Sequence, residues 1–235
     1  MPTVDAYPQN KQWMDTFVSA DAVFAYSEFG RDVLTGQCKD INFVDVASPC
    51  ASQNFTPVLD KEKHKESFGL TSDSFIVGTV MRNQRRKMYP ELFKVFREFL
   101  DVSKSTNAFL YCHTYFPDVG WEIPDLLQEY DLTNRVLFTY KCKQCGHIEP
   151  RFFQDTFNHC RNCNSFKSEL VGVNNKIEEE DLAKIYNLFD VYIQYANSEG
   201  FGMPQLEASQ SGVPVMTVAY SAMDSVGDNI QAIKI

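Results

Sequence analysis

From Phe75 onward, short apolar runs alternate with stretches in which apolar residues recur every three or four positions. Phe75–Val80 reads as a strand buried on both faces. Pro90 then opens a helix in which Leu92, Phe93, Phe96, Phe99 and Leu100 form one stripe. The same reading predicts strands at 108–112, 136–140 and 191–195 and helices at 123–130 and 181–190, the last with Leu182, Ile185, Tyr186 and Phe189 facing inward. A helix at 204–211 ends at Gly212, and a strand at 214–218 begins with Pro214, where a missing N–H costs least. Alternation of this kind predicts an α/β fold: a Rossmann-like parallel sheet with helices on both faces.

The first fifty-odd residues are sparser. A strand at 22–26, a helix capped by Ser27 and running to Leu34, and an apolar run at 44–46 are too few to close a core alone. The expected organisation is therefore a remnant of a preceding domain with its linker over 1–56, followed by a ligand-binding domain over 57–235. The alternation breaks between Tyr140 and Asp181, and 141–168 is expected to be a small insertion.

Composition narrows the function. The chain has 235 residues, 22 Lys plus Arg against 31 Asp plus Glu, and a formal charge of −9. With 44% hydrophobic residues it reads as a globular chain able to bury a core. The acidic balance disfavours a nucleic-acid partner, so any phosphate site must be local. No stretch approaches the roughly 18 apolar residues of a membrane span. The start mixes Asp5, Lys11, Asp15 and Asp21 with apolar positions, unlike a secretory leader. A cytoplasmic protein is expected.

Four of the seven cysteines, Cys142, Cys145, Cys160 and Cys163, fall in the spacing C-x2-C-x14-C-x2-C. Two thiolates on one tight turn approach a metal from the same side, and two such turns complete a tetrahedron. A structural zinc ribbon is the favoured reading, over redox-active thiols or disulfides, with His147 and His159 as alternative ligands. Four thiolates would leave no open coordination position, so this zinc would be scaffolding. Cys38, Cys50 and Cys112 read as ordinary thiols, and His64 and His113 as surface or structural residues, with His113, which follows a strand, as the one that could line a crevice.

Two stretches suggest a ligand. In Ser198-Glu199-Gly200-Phe201-Gly202-Met203-Pro204-Gln205-Leu206-Glu207, two glycines permit close backbone approach and Pro204 starts a helix whose N-terminal amides favour an anion. Glu199 and Glu207 are acceptors suited to vicinal hydroxyls. Arg82, Arg85, Arg86 and Lys87 form the dense basic run of this acidic chain and follow the strand Phe75–Val80. Loops at the carboxyl ends of parallel strands share one edge, so both stretches can face one crevice. Cations for a diphosphate and carboxylates for hydroxyls together suggest a sugar nucleotide.

Glu199-Gly200-Phe201-Gly202, Pro204 and Glu207, with Gly212-Val213-Pro214-Val215 after them, resemble the E-x7-E region of retaining glycosyltransferases of family 4, which have the GT-B fold. Arg82 and Lys87 match that family's pair beside the donor diphosphate, and Phe55-Thr56-Pro57 its linker. The resemblance implies catalytic roles for Glu199, Arg82 and Lys87, and donor binding by Glu207, Gly200, Phe201, Gly202, Met203 and Gly78. It implies transfer of a hexosyl group from a nucleotide diphosphate-sugar to a hydroxyl of a glycan, lipid or protein, with retention and without a catalytic divalent metal. Met81 and Met88 stand where the family has glycine. Most of the family's N-terminal domain has no counterpart, so the chain is expected to bind donor but to be incomplete for transfer alone. The competing reading is a non-catalytic module whose zinc ribbon binds protein or nucleic acid.

Overall fold

Two sheets organise the chain in a computed structural model that describes residues 3–154 and 158–235. The smaller pairs β1 (Val23–Ala25) with β2 (Phe43–Val46) in parallel. Against it lie α1 (Lys11–Val18) and α2 (Glu28–Gln37). Ser27 caps α2 as expected, its Oγ accepting from the Gly30 amide at 3.1 Å. Val4, Met14, Val23, Ala25, Val33, Leu34 and Ile41 form a small core of their own. This corrects the expectation that a strand, a helix and an apolar run are too few to close a core here, because α1, capped by Asn10, supplies Met14 to its missing side.

The larger sheet holds β3 (Phe75–Val80), β4 (Ala108–His113), β5 (Val136–Cys142), β6 (Ile148–Phe152), β7 (Ser168–Leu170), β8 (Val191–Gln194), β9 (Val215–Thr217) and β10 (Ile233–Lys234). Its order is β10-β9-β8-β3-β4-β5-β6, with β7 also pairing β5. Strands β10 through β5 run parallel, while β6 and β7 run antiparallel to β5. Pro150 lies in β6, which ends that order, a place where proline is tolerated.

Helices cover both faces. On one, α4 (Tyr89–Ser103) and α5 (Ile123–Glu129) bury Leu92, Phe93, Phe96, Leu126 and Leu127. Each such side chain contributes about 1.5–3 kcal/mol by leaving water. On the other, α6 (Glu179–Tyr186) and α7 (Met203–Gln210) pack Ile185, Tyr186 and Ala208 with Phe55, Phe189 and Tyr192. Near the edge, α8 (Ser221–Asn229) sets Met223 into the first core. The polar α3 (Lys61–Ser67) is anchored by a buried lysine: Lys65 Nζ meets both Asp190 carboxylate oxygens at 2.7 and 2.8 Å and the Ser74 carbonyl at 2.6 Å.

Strand β3 is central, with β4 on one side and β8 on the other, so the chain winds outward in both directions from the β3/β8 boundary. Crevices form at the carboxyl ends of strands where the winding reverses. The loops leaving β3 and β8 carry the basic run and the Glu199 stretch. The smaller unit closes on this region: Phe29 and Tyr220 meet edge to face at 5.9 Å, and Thr3 lies against Gly200.

Candidate functional site

Past β3 the chain forms a short 3₁₀ turn, Arg85–Lys87, ended by Met88 in the left-handed region at φ 34° and ψ 45°. The loop after β8 is clipped to this turn by the Asn197 amide donating to the Arg86 carbonyl at 2.7 Å. Glu199 is thereby brought under three donors. Lys87 Nζ contacts its Oε1, Arg86 donates to Oε2 at 2.8 Å, and Gln194 Nε2 donates to Oε1 at 2.9 Å. The Glu199 amide donates to Ser221 Oγ at 3.0 Å.

Two cationic side chains face one carboxylate, so with Lys87 protonated the cluster carries a surplus positive charge for an incoming anion. Glu199, Lys87 and Gln194 are all buried. Burial, with Arg86 alongside, pulls the Lys87 ammonium down to about 7, and burial also lowers Arg86. Arg85 turns away, its guanidinium 4.5 Å from the centre of the Trp121 ring.

Arg82 leaves β3 in another direction. Its guanidinium binds Asp118 through two contacts, at 2.9 and 3.2 Å, and reaches Tyr115 Oη at 3.4 Å. Burial pushes Asp118 upward, but Arg82 and the Val119 amide outweigh it and hold the carboxyl below its ordinary range. Arg82, Val80, Met81, His113, Val171 and Pro204 are among the residues lining a hollow of about 550 Å³. His113 lines this hollow, the alternative that its place after a strand left open. Its Nδ1 lies 2.9 Å from Thr139 Oγ1, and burial drives the imidazole down to about 4, so it is neutral at neutral pH.

Gly202 caps α7 at φ 89°, a conformation that favours glycine, and Met203 and Pro204 start the helix half-buried. No side chain caps this N-terminus. Gly200 is bare because Thr3 occupies the space of a Cβ, and the Phe201 carbonyl faces Gln205 Nε2 at 3.5 Å. Glu207, one turn beyond Pro204, accepts from Tyr186 Oη at 2.7 Å. Burial raises its carboxyl although that bond opposes the rise. Gly78 needs a correction. A Cβ there would strike the Phe189 ring, so its bareness lets the β8 side of the core pack on β3 and is not an opening toward a ligand.

The structure thus joins Lys87 to Glu199, puts Arg82 and Pro204 on one hollow, and ties Glu207 to α6. Sequence reasoning missed Arg86 as the second cation on Glu199. Gln194, polar within the apolar run Val191–Gln194, carried a visible signal, whereas Asp118 and Tyr186 carried none. Cys142, Cys145, Cys160 and Cys163 converge, their sulfurs all within 4.8 Å of one another. His147 and His159 are outside that group among the described residues. The expected insertion, 141–168, includes 155–157, which lie outside the described residues.

The chain superposes on sucrose-phosphate synthase from Thermosynechococcus elongatus at TM-score 0.63 and 20% identity, covering 95% of this chain and 52% of that one. A glycosyltransferase from Rickettsia africae gives 0.62 and 15%, covering 98% and 54%. The C-terminal domain of a glycosyl transferase group 1 family protein from Francisella tularensis gives 0.51 and 13%, covering 78% and 77%. The architecture is that of a GT-B C-terminal domain. The chain spans about half the length of the first two proteins, and at these identities the likeness is one of fold. Residues 166–232, which hold both Glu199 and Glu207 of this GT-B unit, match the family model for glycosyl transferases group 1. No curated protein matches the sequence. Among the described residues, no helix is long and apolar enough to cross a membrane.

Proposed function

We propose that this chain is the donor-binding half of a retaining glycosyltransferase. It would take a hexosyl group from a nucleotide diphosphate-sugar to an acceptor hydroxyl of a glycan, lipid or protein. The observation that carries the reading is the buried contact of Glu199 with Lys87 and Arg86 at the carboxyl ends of β3 and β8. A sugar hydroxyl needs the acceptor, a diphosphate needs the cations, and the two stand where a single molecule can reach both.

The matched family segment and the fold support the same class. So do structural neighbours with bound nucleotides: a trehalose-6-phosphate protein from E. coli with UDP-2-fluoro glucose and the catalytic domain of starch synthase IV from Arabidopsis thaliana with ADP. In this reading Lys87, Arg86 and Arg82 stabilise charge on the departing nucleotide, doing without a catalytic divalent metal. Glu199 orients the transferred sugar and Glu207 accepts from the ribose. Amides near Gly200, Phe201, Gly202 and Met203 lie along the phosphates and sugar. Residues 57–235 form the donor domain and 1–56 belong to an acceptor-side domain.

Thermal unfolding with UDP, GDP, ADP and their sugars tests this. A ligand at a hundred times its dissociation constant adds about 2.7 kcal/mol, a shift of several degrees. At least one nucleotide is expected to raise the midpoint in the native chain, and Glu207→Ala is expected to reduce that rise. If no nucleotide acts, the non-catalytic module is the correct reading.

A further inference from the structure

The four-cysteine segment repeats one local geometry twice. In the first knuckle the Gly146 amide donates to the Cys142 carbonyl at 2.9 Å, and the Cys142 amide to the His147 carbonyl at 2.9 Å. In the second the Asn164 amide donates to the Cys160 carbonyl at 2.9 Å, and the Cys160 amide to the Ser165 carbonyl at 2.8 Å. Each knuckle places a left-handed residue directly after its second cysteine, Gly146 at φ 74° and Asn164 at φ 56°. Turns of this shape aim both thiols of a pair at one point.

The two pairs face each other. Cys142 Sγ is 3.7 Å from Cys163 Sγ, and Cys145 Sγ is 3.6 Å from Cys160 Sγ. Bonds of about 2.3 Å from zinc to four sulfurs in a tetrahedron separate those sulfurs by about 3.8 Å. The observed spacing fits that shell, and all four cysteines are free thiols. Ser165 Oγ stands 3.3 Å from Cys142 Sγ and 3.1 Å from Cys163 Sγ, and Asn162 Nδ2 donates to Cys145 Sγ at 3.6 Å. These are polar partners of the kind that steady metal-bound thiolates.

The cluster is joined to the hollow by a short path. Cys142 ends β5, and Ser168, which opens β7, is its register partner. Just after β7 the Val171 amide donates to the Thr139 carbonyl at 3.0 Å, and the turn between Gly172 and Asn175 is closed by two backbone bonds. Asn175 Nδ2 ties that turn back to the Lys141 carbonyl at 3.0 Å. Val171, Gly172, Val173, Lys176 and Ile177 then form the wall of the hollow that also holds Arg82.

We propose that Cys142, Cys145, Cys160 and Cys163 bind one zinc ion and that this ion fixes the 171–177 wall, so that nucleotide affinity depends on a metal remote from the reacting atoms. The second half rests on the nucleotide reading given above. With four thiolates the shell is full, so the ion holds β7 to β5 and takes no part in chemistry. Without it, β7 and the wall keep the β5 pairing and the Val171–Thr139 and Asn175–Lys141 bonds but lose the tie between the two knuckles, so part of the wall's order must be regained on binding.

Metal analysis of the full chain produced with zinc supplied tests the first half. One zinc per chain is expected, with the visible ligand-field and thiolate charge-transfer bands of a tetrahedral site after cobalt(II) exchange. Cys145→Ser is expected to lose the ion and Cys145→His, which keeps a ligand, to retain it. Protein without zinc whose cobalt form lacks thiolate bands overturns the metal site. Reversible chelation of the native chain tests the second half, and needs no variant to fold. Stripping is expected to raise amide exchange across 171–177 and weaken nucleotide binding about tenfold, the cost of ordering one or two side chains, with both effects reversed by zinc. Unchanged exchange on stripping overturns the wall. Zinc-loaded protein that binds no nucleotide overturns the nucleotide reading while leaving the ion and its structural effect to be judged by metal content and exchange.

Discussion

Lys87 is where local chemistry has the sharpest consequence. Its ammonium is held near 7 by burial and by Arg86, whereas a diphosphate favours the charged form. Above pH 7 the free site increasingly loses this proton and must regain it on binding. Nucleoside diphosphate affinity is therefore expected to fall between pH 7 and 9, by at most about tenfold per pH unit. Calorimetry over that range checks it, and Lys87→Arg, which stays charged throughout, should flatten the profile. A flat profile in the native chain would show that Lys87 does not meet the phosphates. Charge and glycine content mark 82–87 and 198–207 in the sequence alone, and the fold brings the two stretches together at Glu199. What stayed hidden was which arginine turns inward, because a run of cations has no periodicity to say where each points. Met88 is instructive here. It stands where the resembled family has glycine and still adopts the left-handed conformation, which costs a residue with a Cβ roughly 1–2 kcal/mol.

Elements were legible wherever their apolar residues kept a period. The stripe of Leu92, Phe93 and Phe96 marked α4, and the β-rich run Phe75–Val80 marked β3. Helix α3, with only Lys65 buried, had no stripe to find, and its place comes from the ion pair of Lys65 with Asp190. Helix α8 and strand β10 went unread, since Ser221–Asn229 mixes small, polar and glycine residues and Ile233–Lys234 is too short for alternation. Gly78 shows how a strand residue can be misassigned, because sequence alone does not distinguish a glycine that admits a ligand from one that admits a neighbouring ring. Gly78→Ala is expected to destabilise the chain by about 1–3 kcal/mol through overpacking against Phe189, measured by denaturant unfolding. Unchanged stability would return Gly78 to the list of ligand-facing positions.

At the scale of the whole molecule, the strand order places the loops of β3 and β8 side by side, and the smaller unit leans on the second of them. Fold class was open to inference because the alternation of strands and helices limits the arrangements that cover a parallel sheet. The packing of α2 on α8 was not, since Phe29 and Tyr220 lie far apart in the chain and neither belongs to a strong stripe. A double-mutant cycle with Phe29→Ala and Tyr220→Ala is expected to give a coupling of about 1 kcal/mol, the worth of an edge-to-face pair. A coupling near zero would mean that this contact contributes nothing to holding the smaller unit in place.

The pairing of Glu199 with Lys87 gives the crevice a form of discrimination. Glu199 already holds Lys87 and Arg86, so a newcomer competes for groups that have partners. Inorganic phosphate could draw the ammonium away, but it would leave the buried carboxylate to Arg86 and Gln194 alone. A neutral saccharide would do the reverse. Admission falls to molecules that carry anion and hydroxyls on one frame, at the separation the two side chains set.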